Sequence, residues 1–512
     1  MLSMFKIRKI EDKKPRKLIP WEKILLSTLK ICRPLIGIVS DWRIRKEEEK
    51  RRLKRIRALK RILAICISVL IVLVIGLAVL QAFFSIRILS FGRITSVTGT
   101  PPPSDENGFT NILLLGQGDS GHDGKDLTDT AIVLSLDPNK TKSAVMLSLP
   151  RDLYLLHTEK MGKGKLNTFY RDYKGYLKYM KKMDSDSASG EAIKELGAEI
   201  GRNLGLNMHG TIKIDFTAFE QAVDAIGGVD IEVPYDIADN EYPDENYGFE
   251  PFKISKGMNH LNGKTALKYA RSRSTTSDFD RSARQQQLIK ELGRKAKEEG
   301  LHKKPGIVID FLKIYKNNVE TTLSMRELIG LASMASEIEP KNVISMQLND
   351  RNAIFDGLIE PGGFLYAPPR DLFEGASVLL PVSIPEFPVT WKQITALKKL
   401  LFDQRRHYLD KPVISVLNAG APSGHARKLA TEMARYGFTV DVVENASIPK
   451  QDDSFVSVKP GANAEAEFFA SLIGISVKPA PSELSESQMR QITYILGKDY
   501  SYKPLQSFIL SE

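Results

Sequence analysis

Cysteine is nearly absent from this sequence. Only two cysteines occur in 512 residues, Cys32 and Cys66, and the second lies inside a long apolar run. A disulfide framework or a thiolate metal site therefore does not hold the rest of the chain, which must fold around ordinary hydrophobic cores.

Sequence signatures of several common enzyme classes are missing as well. The seven histidines are scattered, and none begins the His-Glu-x-x-His helix of zinc proteases. There is no Gly-x-Ser-x-Gly elbow of a serine hydrolase. The segment that starts at Gly257 resembles a phosphate-binding P-loop, but its two glycines are too far apart by one residue. These absences disfavour zinc protease, serine hydrolase and P-loop functions.

Charge is absent from residues 62–86, between Arg61 and Arg87. At about 1.5 Å per residue, this run is long enough to cross a hydrocarbon core of about 30 Å. The 61 residues before it carry 21 Lys and Arg against 7 Asp and Glu, a net charge of +14. Because the whole chain has a net charge of +11, the residues after the run carry −3. Because positive charge stays on the cytoplasmic side, we predict a cell-membrane protein with a cytoplasmic tail (1–61), one transmembrane helix (62–86) and extracytoplasmic domains.

The basic excess does not indicate a nucleic-acid partner. It is confined to the tail, where lysines and arginines beside the membrane bind anionic lipid headgroups. The tail also lacks a recognisable DNA-reading motif, so we predict a membrane partner and no nucleic acid.

The remainder of the chain divides by composition. A polar, proline-containing stretch marks 87–107 as a stalk. Residues 108–350 alternate apolar runs with helical patterns and are predicted to form an α/β domain. Residues 351–410 are rich in proline and glycine and are predicted as a linker. Residues 411–504 are predicted to form a smaller β-α-β domain, with Ser423 as the N-cap of its helix and Gly437 as its end.

A predicted hairpin brings charged residues together. Apolar runs at 131–136 and 143–149 flank turn-forming residues 137–141, which is typical of an antiparallel hairpin. The residues before the first strand and after the second then meet at the end opposite the turn. Two carboxylates and one guanidinium gather there, those of Asp129, Asp152 and Arg151.

Four arginines fall within 14 residues, at a predicted helix start and in the loop before it. They are Arg271, Arg273, Arg281 and Arg284. If the helix begins near Asp280, then Arg281, Arg284 and Gln285 share one face at its positive end. Arginine forks match phosphate geometry and helix N-termini bind anions, so this cluster is a candidate phosphate site.

Carboxylates beside an arginine cluster suggest Mg²⁺ that bridges a polyphosphate, because hard cations share oxygen ligands with substrate phosphates. The alternative is structural. The arginines could pair with Asp278, Asp280 and the strand-end aspartates as surface salt bridges, and spacing alone leaves both interpretations open.

Together these segments resemble the LytR-CpsA-Psr family of membrane-anchored cell-wall glycopolymer ligases. The matches follow the family's order between about residues 108 and 320, and their combination is specific although each is weak alone. They are Asn111-Ile-Leu-Leu-Leu-Gly116, Thr128-Asp-Thr130, Ser148-Leu-Pro-Arg-Asp152, Lys165-Leu-Asn167, Gly227-Gly-Val229, Leu261-Asn-Gly263, Ala266-Leu-Lys-Tyr-Ala-Arg-Ser-Arg273 and Asp278-Phe-Asp-Arg-Ser-Ala-Arg-Gln285. Residues 413–420 and the helix after them look like the C-terminal domain of LytR-type members.

The resemblance implies an α/β domain with a central mixed β-sheet. It also implies phosphotransfer of a glycopolymer from a polyprenyl-pyrophosphate lipid carrier onto peptidoglycan, with Mg²⁺ or Mn²⁺ at the pyrophosphate and an apolar tunnel for the lipid. The implied metal ligands are Asp129 and Asp119. The implied catalytic residues are Arg151, Asp152, Arg271 and Arg273, and the implied phosphate-binding residues are Lys165, Arg281, Arg284 and Gln285.

Two positions depart from the family's pattern. Leu127 stands where the family often has an arginine, so one phosphate contact is either lost or replaced by Lys125. Gln117 stands where an early aspartate is expected, with Asp119 or Asp123 as substitutes. These departures affect metal ligation and rate.

Two other functions fit the same residues. A polyprenyl-pyrophosphate hydrolase would use water as the acceptor, and a non-catalytic wall-binding or sensory protein would only recognise the glycopolymer. A membrane-tethered transcriptional regulator is disfavoured because the tail has no DNA-reading motif.

Overall fold

The structure is a computed structural model that describes residues 99–118, 124, 126–243, 248–272, 278–300, 305–350, 354–355, 358–359, 363–382, 389–458 and 463–511. The predicted tail and transmembrane helix, 1–86, lie outside these residues. In the described part of the chain, no helix has the length and apolar character needed to cross a bilayer.

The strands are, in chain order, β1 Thr110–Gln117, β2 Thr128–Asp137, β3 Ser143–Leu149, β4 Tyr154–Leu155, β5 Gly164–Lys165, β6 Gly210–Ile214, β7 Val229–Val233, β8 Ile237–Pro243, β9 Phe249–Ile254, β10 Gly257–Leu261, β11 Val319–Thr321, β12 Val343–Gln347, β13 Ile354–Phe355, β14 Leu358–Ile359, β15 Leu365–Tyr366, β16 Leu380–Pro381, β17 Val413–Asn418, β18 Thr439–Asn445, β19 Phe455–Val458, β20 Ser476–Val477 and β21 Ile492–Leu496.

The α-helices are α1 Leu166–Tyr179, α2 Ser185–Leu204, α3 Phe216–Ala225, α4 Gly263–Arg271, α5 Asp278–Glu298, α6 Pro305–Asn318, α7 Met325–Glu337, α8 Lys392–Lys398, α9 Arg406–Leu409, α10 His425–Arg435, α11 Asn463–Ser471 and α12 Gln506–Ile509. Short 3₁₀ segments occur at Pro340–Asn342 and Arg370–Phe373, and a π-helical segment at Lys399–Asp403 follows α8.

The first domain is built on a mixed sheet in the order β11-β6-β1-β2-β3-β12. Strand β1 is parallel to β6, and β3 is parallel to β12, while the other neighbours are antiparallel. Because successive side chains of a strand point to opposite faces, the sheet carries two apolar layers. Leu113 and Leu115 of β1 join the core under α1 and α2, and Ile112 joins a second cluster with Leu331 of α7. The predicted α/β fold with a central mixed sheet is confirmed.

The β2–β3 hairpin also forms as predicted, with Asp137 opposite Ser143 at the turn. The buried Asp137 carboxylate accepts hydrogen bonds from the backbone N–H groups of Lys140 and Thr141, both at 2.9 Å, and from Thr141 Oγ1 at 2.6 Å. Burial acts to raise the pKa of Asp137, but these hydrogen bonds outweigh it and hold the pKa below its ordinary value. Asp137 therefore fixes the turn, and the turn sets the register of the β2–β3 pair that brings the site residues together.

The smaller domain contains the predicted β-α-β unit, β17-α10-β18, in a sheet ordered β18-β17-β21-β19-β20. Gly437 ends α10 with φ of 94°, as predicted. The predicted N-cap at Ser423 is wrong. Gly424 occupies the N-cap with φ of 84°, because Ser423 lies in a turn closed by a hydrogen bond from His425 N to Pro422 O at 3.2 Å.

The two domains share one hydrophobic core. Strand residues of both sheets, such as Val133 and Val416, belong to the same buried cluster as Leu397 and Leu401 of the helical segment between them. Within the range predicted as a linker, α8, the π-helical segment and α9 thus pack into this core. The buried Arg405 also links this segment to the first domain by a hydrogen bond from its Nη2 to Ser135 Oγ of β2 at 2.6 Å. Burial lowers the pKa of Arg405 to about 10.

Candidate functional site

The site lies at the end of the β2–β3 hairpin opposite its turn. Pairing between β2 and β3 stops there at Ala131 and Leu149, and Asp129, Arg151 and Asp152 beyond this pair are partly exposed. Arg151 Nη1 lies 3.3 Å from Asp129 Oδ1, and Arg151 Nε lies 3.9 Å from Asp152 Oδ2. The predicted meeting of two carboxylates with one guanidinium is confirmed.

The start of α1 closes one side of this cluster. Lys165 stands at the N-cap position, and its Nζ lies 2.9 Å from Asp152 Oδ1. Asn167, two residues later, donates from Nδ2 to Asp129 Oδ1 at 3.3 Å and from its backbone N–H to Arg151 O at 3.2 Å. The sequence identified Lys165 as a site residue but gave Asn167 no role, although Asn167 belongs to the same short motif.

The N-terminal turns of α5 close the other side. Arg281 is buried, and its Nη2 donates to the backbone oxygen of Asp129 at 3.4 Å. Between α5 and the hairpin end lies a small cleft that is partly open to solvent. Its charged and amide side chains are those of Asp129, Arg151, Arg281, Gln285 and Gln347. This arrangement offers two guanidinium groups and one carboxylate to a ligand in the cleft.

The side chain of Arg284 does not line the cleft. It is buried, its Nε donates to Tyr269 O at 2.9 Å, and its Nη2 contacts Ser272 O. Both acceptors lie at the C-terminal end of α4, where carbonyl groups lack helical partners. Gln285 makes a similar contact, from Nε2 to Ala270 O at 3.3 Å, but also lines the cleft. The phosphate-binding role of Arg284 stays a prediction, and its described contacts attach α5 to α4.

Arg271, the last residue of α4, packs among aromatic rings. Its guanidinium carbon lies 4.1 Å from the ring centre of Phe216, and its Nη1 donates to the hydroxyl of Tyr242 at 3.1 Å. Burial raises the pKa of Tyr242, and the nearby Arg271 partly offsets that effect. Arg273, the other arginine of this motif, lies outside the described residues, so its role also stays a prediction.

Gln286 connects three elements beneath the cleft, and sequence reasoning missed it. The side chain is 3% exposed. Its Nε2 lies 2.8 Å from Ser148 Oγ, 2.8 Å from Met346 O and 3.3 Å from Met146 O. Gln286 therefore fixes α5, which carries Arg281, against β3, which leads to Arg151, and against β12.

Asp129 is suited to hold a cation with help from a phosphate. Both hydrogen bonds that described residues donate to its carboxylate use Oδ1 and not Oδ2, and the side chain is 47% exposed. The amide oxygen of Asn167 is buried nearby without a partner among the described residues. Asp119, the other predicted ligand, lies outside the described residues. Within the part of the chain that the structure describes, no three or more His, Cys, Asp or Glu side chains cluster as a metal site.

Gln117, which stands where an early aspartate is expected, accepts a hydrogen bond from Lys213 Nζ at 2.8 Å. Lys213 is buried and lies 3.1 Å from Glu320 Oε1. Burial acts to raise the pKa of Glu320, but Lys213 and Ser189 outweigh it and hold the pKa below its ordinary value. A buried lysine beside Gln117 makes this position unfavourable for a divalent cation.

Comparison with known proteins gives matches over both domains. The model of the LytR_cpsA_psr family matches residues 93–361, and the model described as "LytR cell envelope-related transcriptional attenuator" matches residues 412–500. Two relatives are named polyisoprenyl-teichoic acid–peptidoglycan teichoic acid transferases. TagU of Oceanobacillus iheyensis is 29% identical over 259 residues, which cover 49% of this chain and 71% of TagU. TagV of Bacillus subtilis is 28% identical over 244 residues, which cover 46% of this chain and 56% of TagV.

Solved structures match at lower identity. The crystal structure of Bacillus subtilis TagV has 23% identity and a TM-score of 0.39, with 58% of this chain and 97% of TagV covered. Because the family model spans more than half of the sequence, this chain belongs to the LytR_cpsA_psr family.

Proposed function

We propose that this chain is a membrane-anchored phosphotransferase that moves a glycopolymer from a polyprenyl-pyrophosphate carrier onto peptidoglycan. The observation that carries the proposal is the cleft in which Arg151 and Arg281 converge on Asp129. The names of the curated relatives, which are teichoic acid transferases, support the same substrate class.

In this proposal the pyrophosphate lies in the cleft between Arg151 and Arg281. Their guanidinium forks neutralise the charge on the non-bridging oxygens, which grows as an acceptor hydroxyl attacks phosphorus. A new phosphorus–oxygen bond forms to the acceptor, whose hydroxyl proton is released to solvent, while the bridging phosphorus–oxygen bond of the pyrophosphate breaks and polyprenyl monophosphate leaves. Asp152 holds Arg151 and Lys165 in place through contacts at 3.9 and 2.9 Å.

Mg²⁺, or Mn²⁺ in its place, would be held by Asp129 and the phosphates, and when bound it would supply further charge neutralisation. Asn167 would keep Asp129 oriented by its hydrogen bond to Oδ1. The neutral Gln117, with buried Lys213 beside it, would take no part in metal binding.

The experiment follows the products of a purified polyprenyl-pyrophosphate glycopolymer, with and without peptidoglycan. We expect polymer attached to peptidoglycan, together with polyprenyl monophosphate, only when the acceptor is present. Release of free polymer at the same rate without peptidoglycan would identify a hydrolase. No turnover under either condition would identify a binding protein.

Anchoring and localisation are part of the proposal. They rest on the charge-free run at 62–86 and the +14 tail before it. Protease added to intact protoplasts should digest residues 108–504 and spare the tail. Protection of the large domains would contradict the proposed topology.

A further inference from the structure

The C-terminal end of α1 exposes large apolar side chains beside lysines. Tyr176, Tyr179 and Met180 are 43%, 65% and 72% exposed. Three exposed lysines lie among them, and residues 176–182 contain no acidic side chain. We call these six residues the α1 patch: Tyr176, Lys178, Tyr179, Met180, Lys181 and Lys182.

The α1 patch is held in a defined shape. Tyr176 stacks on the buried Tyr173, with ring centres 6.0 Å apart and an angle of 18° between the planes. Lys181 Nζ lies 5.6 Å from the ring centre of Tyr176, and Lys178 Nζ lies 5.4 Å from that of Tyr179. The lysines therefore remain beside the aromatic rings, and the patch presents positive charge and apolar surface together.

The α1 patch lies on the same helix as part of the candidate site. Helix α1 begins where Lys165 and Asn167 contact the site aspartates, and two residues before the patch Lys174 pairs with Asp126 at 3.0 Å. Asp126 lies two residues before β2, at the site end of the sheet. At about 1.5 Å per residue, Tyr179 lies about 18 Å along the helix from Asn167.

We propose that the α1 patch docks on the anionic surface of a lipid bilayer and holds the candidate site at the level of the headgroups. Tyrosine and methionine side chains suit the boundary between headgroups and acyl chains, and lysines are attracted to anionic lipids. The choice of a bilayer rests on the proposed lipid carrier, because a pyrophosphate attached to a membrane-embedded chain lies at the headgroup level. The cleft must therefore approach that surface, and helix α1 connects the cleft to the patch.

The test uses the full chain in vesicles, with Cys32→Ser and Cys66→Ser as the background. A polarity-sensitive fluorophore is attached to Met180→Cys, and in a matched control to Met258→Cys, which replaces a residue that is 70% exposed on β10. The vesicles contain phosphatidylcholine, with or without phosphatidylglycerol, and a nitroxide-labelled lipid as quencher. We expect a blue shift and quenching at position 180 only, both larger with phosphatidylglycerol and reduced by salt.

Three results would overturn the proposal. The first is an unquenched, water-like probe at position 180 in both kinds of vesicle. The second is equal quenching at positions 180 and 258. The third is a response of the position 180 probe to soluble polyphosphate without quenching by lipid, which would identify a soluble polyanion as the partner. The readout needs no turnover, so a wrong substrate assignment would not affect it.

A charge-reversed variant, with Lys178→Glu, Lys181→Glu and Lys182→Glu, tests the consequence for substrate. We expect it to lose the lipid quenching and to turn over the vesicle-borne lipid substrate several-fold more slowly. Turnover of the same substrate in detergent should be unchanged, since the three lysines lie outside the cleft. Loss of quenching with unchanged turnover in vesicles would contradict the proposed role in holding the site at the headgroups.

Discussion

Asn167 Nδ2 lies 3.3 Å from Asp129 Oδ1, while the backbone N–H of Asn167 donates to Arg151 O at 3.2 Å. One residue at the start of a helix thus fixes the carboxylate and the loop that carries the guanidinium. The side-chain amide of Asn167 and the guanidinium of Arg151 both donate hydrogen bonds to Oδ1 of Asp129. The other oxygen is the one that a cation would reach.

The first prediction follows from this geometry. Asp129→Asn keeps the size of the side chain but removes the charge that would attract Mg²⁺, so the variant should need far more Mg²⁺ for turnover. The measurement is a Mg²⁺ titration of lipid-pyrophosphate turnover. Asp172→Asn is the matched control, because Asp172 is exposed and pairs with Arg171 away from the cleft. If both variants have the same titration curve as the wild type, Asp129 has only a structural role.

The second prediction concerns Arg271, which packs on Phe216 and bonds to Tyr242. Arg271→Ala should abolish transfer if the guanidinium contacts phosphate, because the loss is about 1.5–3 kcal/mol for one charged hydrogen bond in the ground state and larger in the transition state, where negative charge develops. Arg271→Lys should rescue it poorly, because an ammonium group lacks the planar fork. Tyr242→Phe is the control and removes only the hydroxyl that accepts from Arg271. Equal turnover losses in Arg271→Ala and Tyr242→Phe would show that Arg271 acts through Tyr242 and not on phosphate.

The third prediction assigns Gln286 a positioning role beneath the cleft. Gln286→Leu removes the donor shared by Ser148 and two methionine carbonyls, so unfolding free energy should fall by about 1–3 kcal/mol. The turnover number should fall while KM changes little, because Arg281 and Arg151 lose their fixed separation. Ser148→Ala removes one of the three acceptors and should give a smaller effect in the same direction. Additive effects in the double variant would mean that the two side chains are not coupled.

The fourth prediction concerns pH and the hairpin turn. The pKa of Asp137 in the folded protein lies below the ordinary value of 3.8. Its stabilising contribution is therefore fully present above that value and is lost as the pH falls through the folded pKa. Asp137→Asn should lower the unfolding free energy at neutral pH by about 1–3 kcal/mol. The measurement is a set of urea titrations at decreasing pH, in which the difference in unfolding free energy between the variant and the wild type should become smaller below pH 3.8. A deficit that is independent of pH would show that the charge on Asp137 contributes nothing.

Part of this site could be predicted from the sequence because it depends on local patterns. Residues 137–141 are turn-forming, and a hairpin of known register must bring Asp129 and Arg151 to one end. The contacts of Arg284 and Gln286 could not be predicted in this way. Helical spacing shows which face a residue occupies, but the fold determines whether that face meets a cleft, a helix end or a neighbouring strand.

The helical segment within 351–410 shows a similar limit. Prolines and glycines dominate its first part, so its composition indicates a linker. The later part forms α8 and α9 and contributes Leu397 and Leu401 to the common core. An average over the whole range obscured the apolar spacing of its last 20 residues.

The most direct test of the central claim follows phosphorus through a single turnover. The substrate carries a radiolabel on the phosphate nearest the glycopolymer, and the full chain is given peptidoglycan and Mg²⁺. The proposed transfer predicts that the label appears in a phosphodiester between polymer and peptidoglycan, while the released polyprenyl monophosphate is unlabelled. Label that remains with the lipid, or that is released on free polymer while the peptidoglycan stays unlabelled, would contradict the proposed transfer.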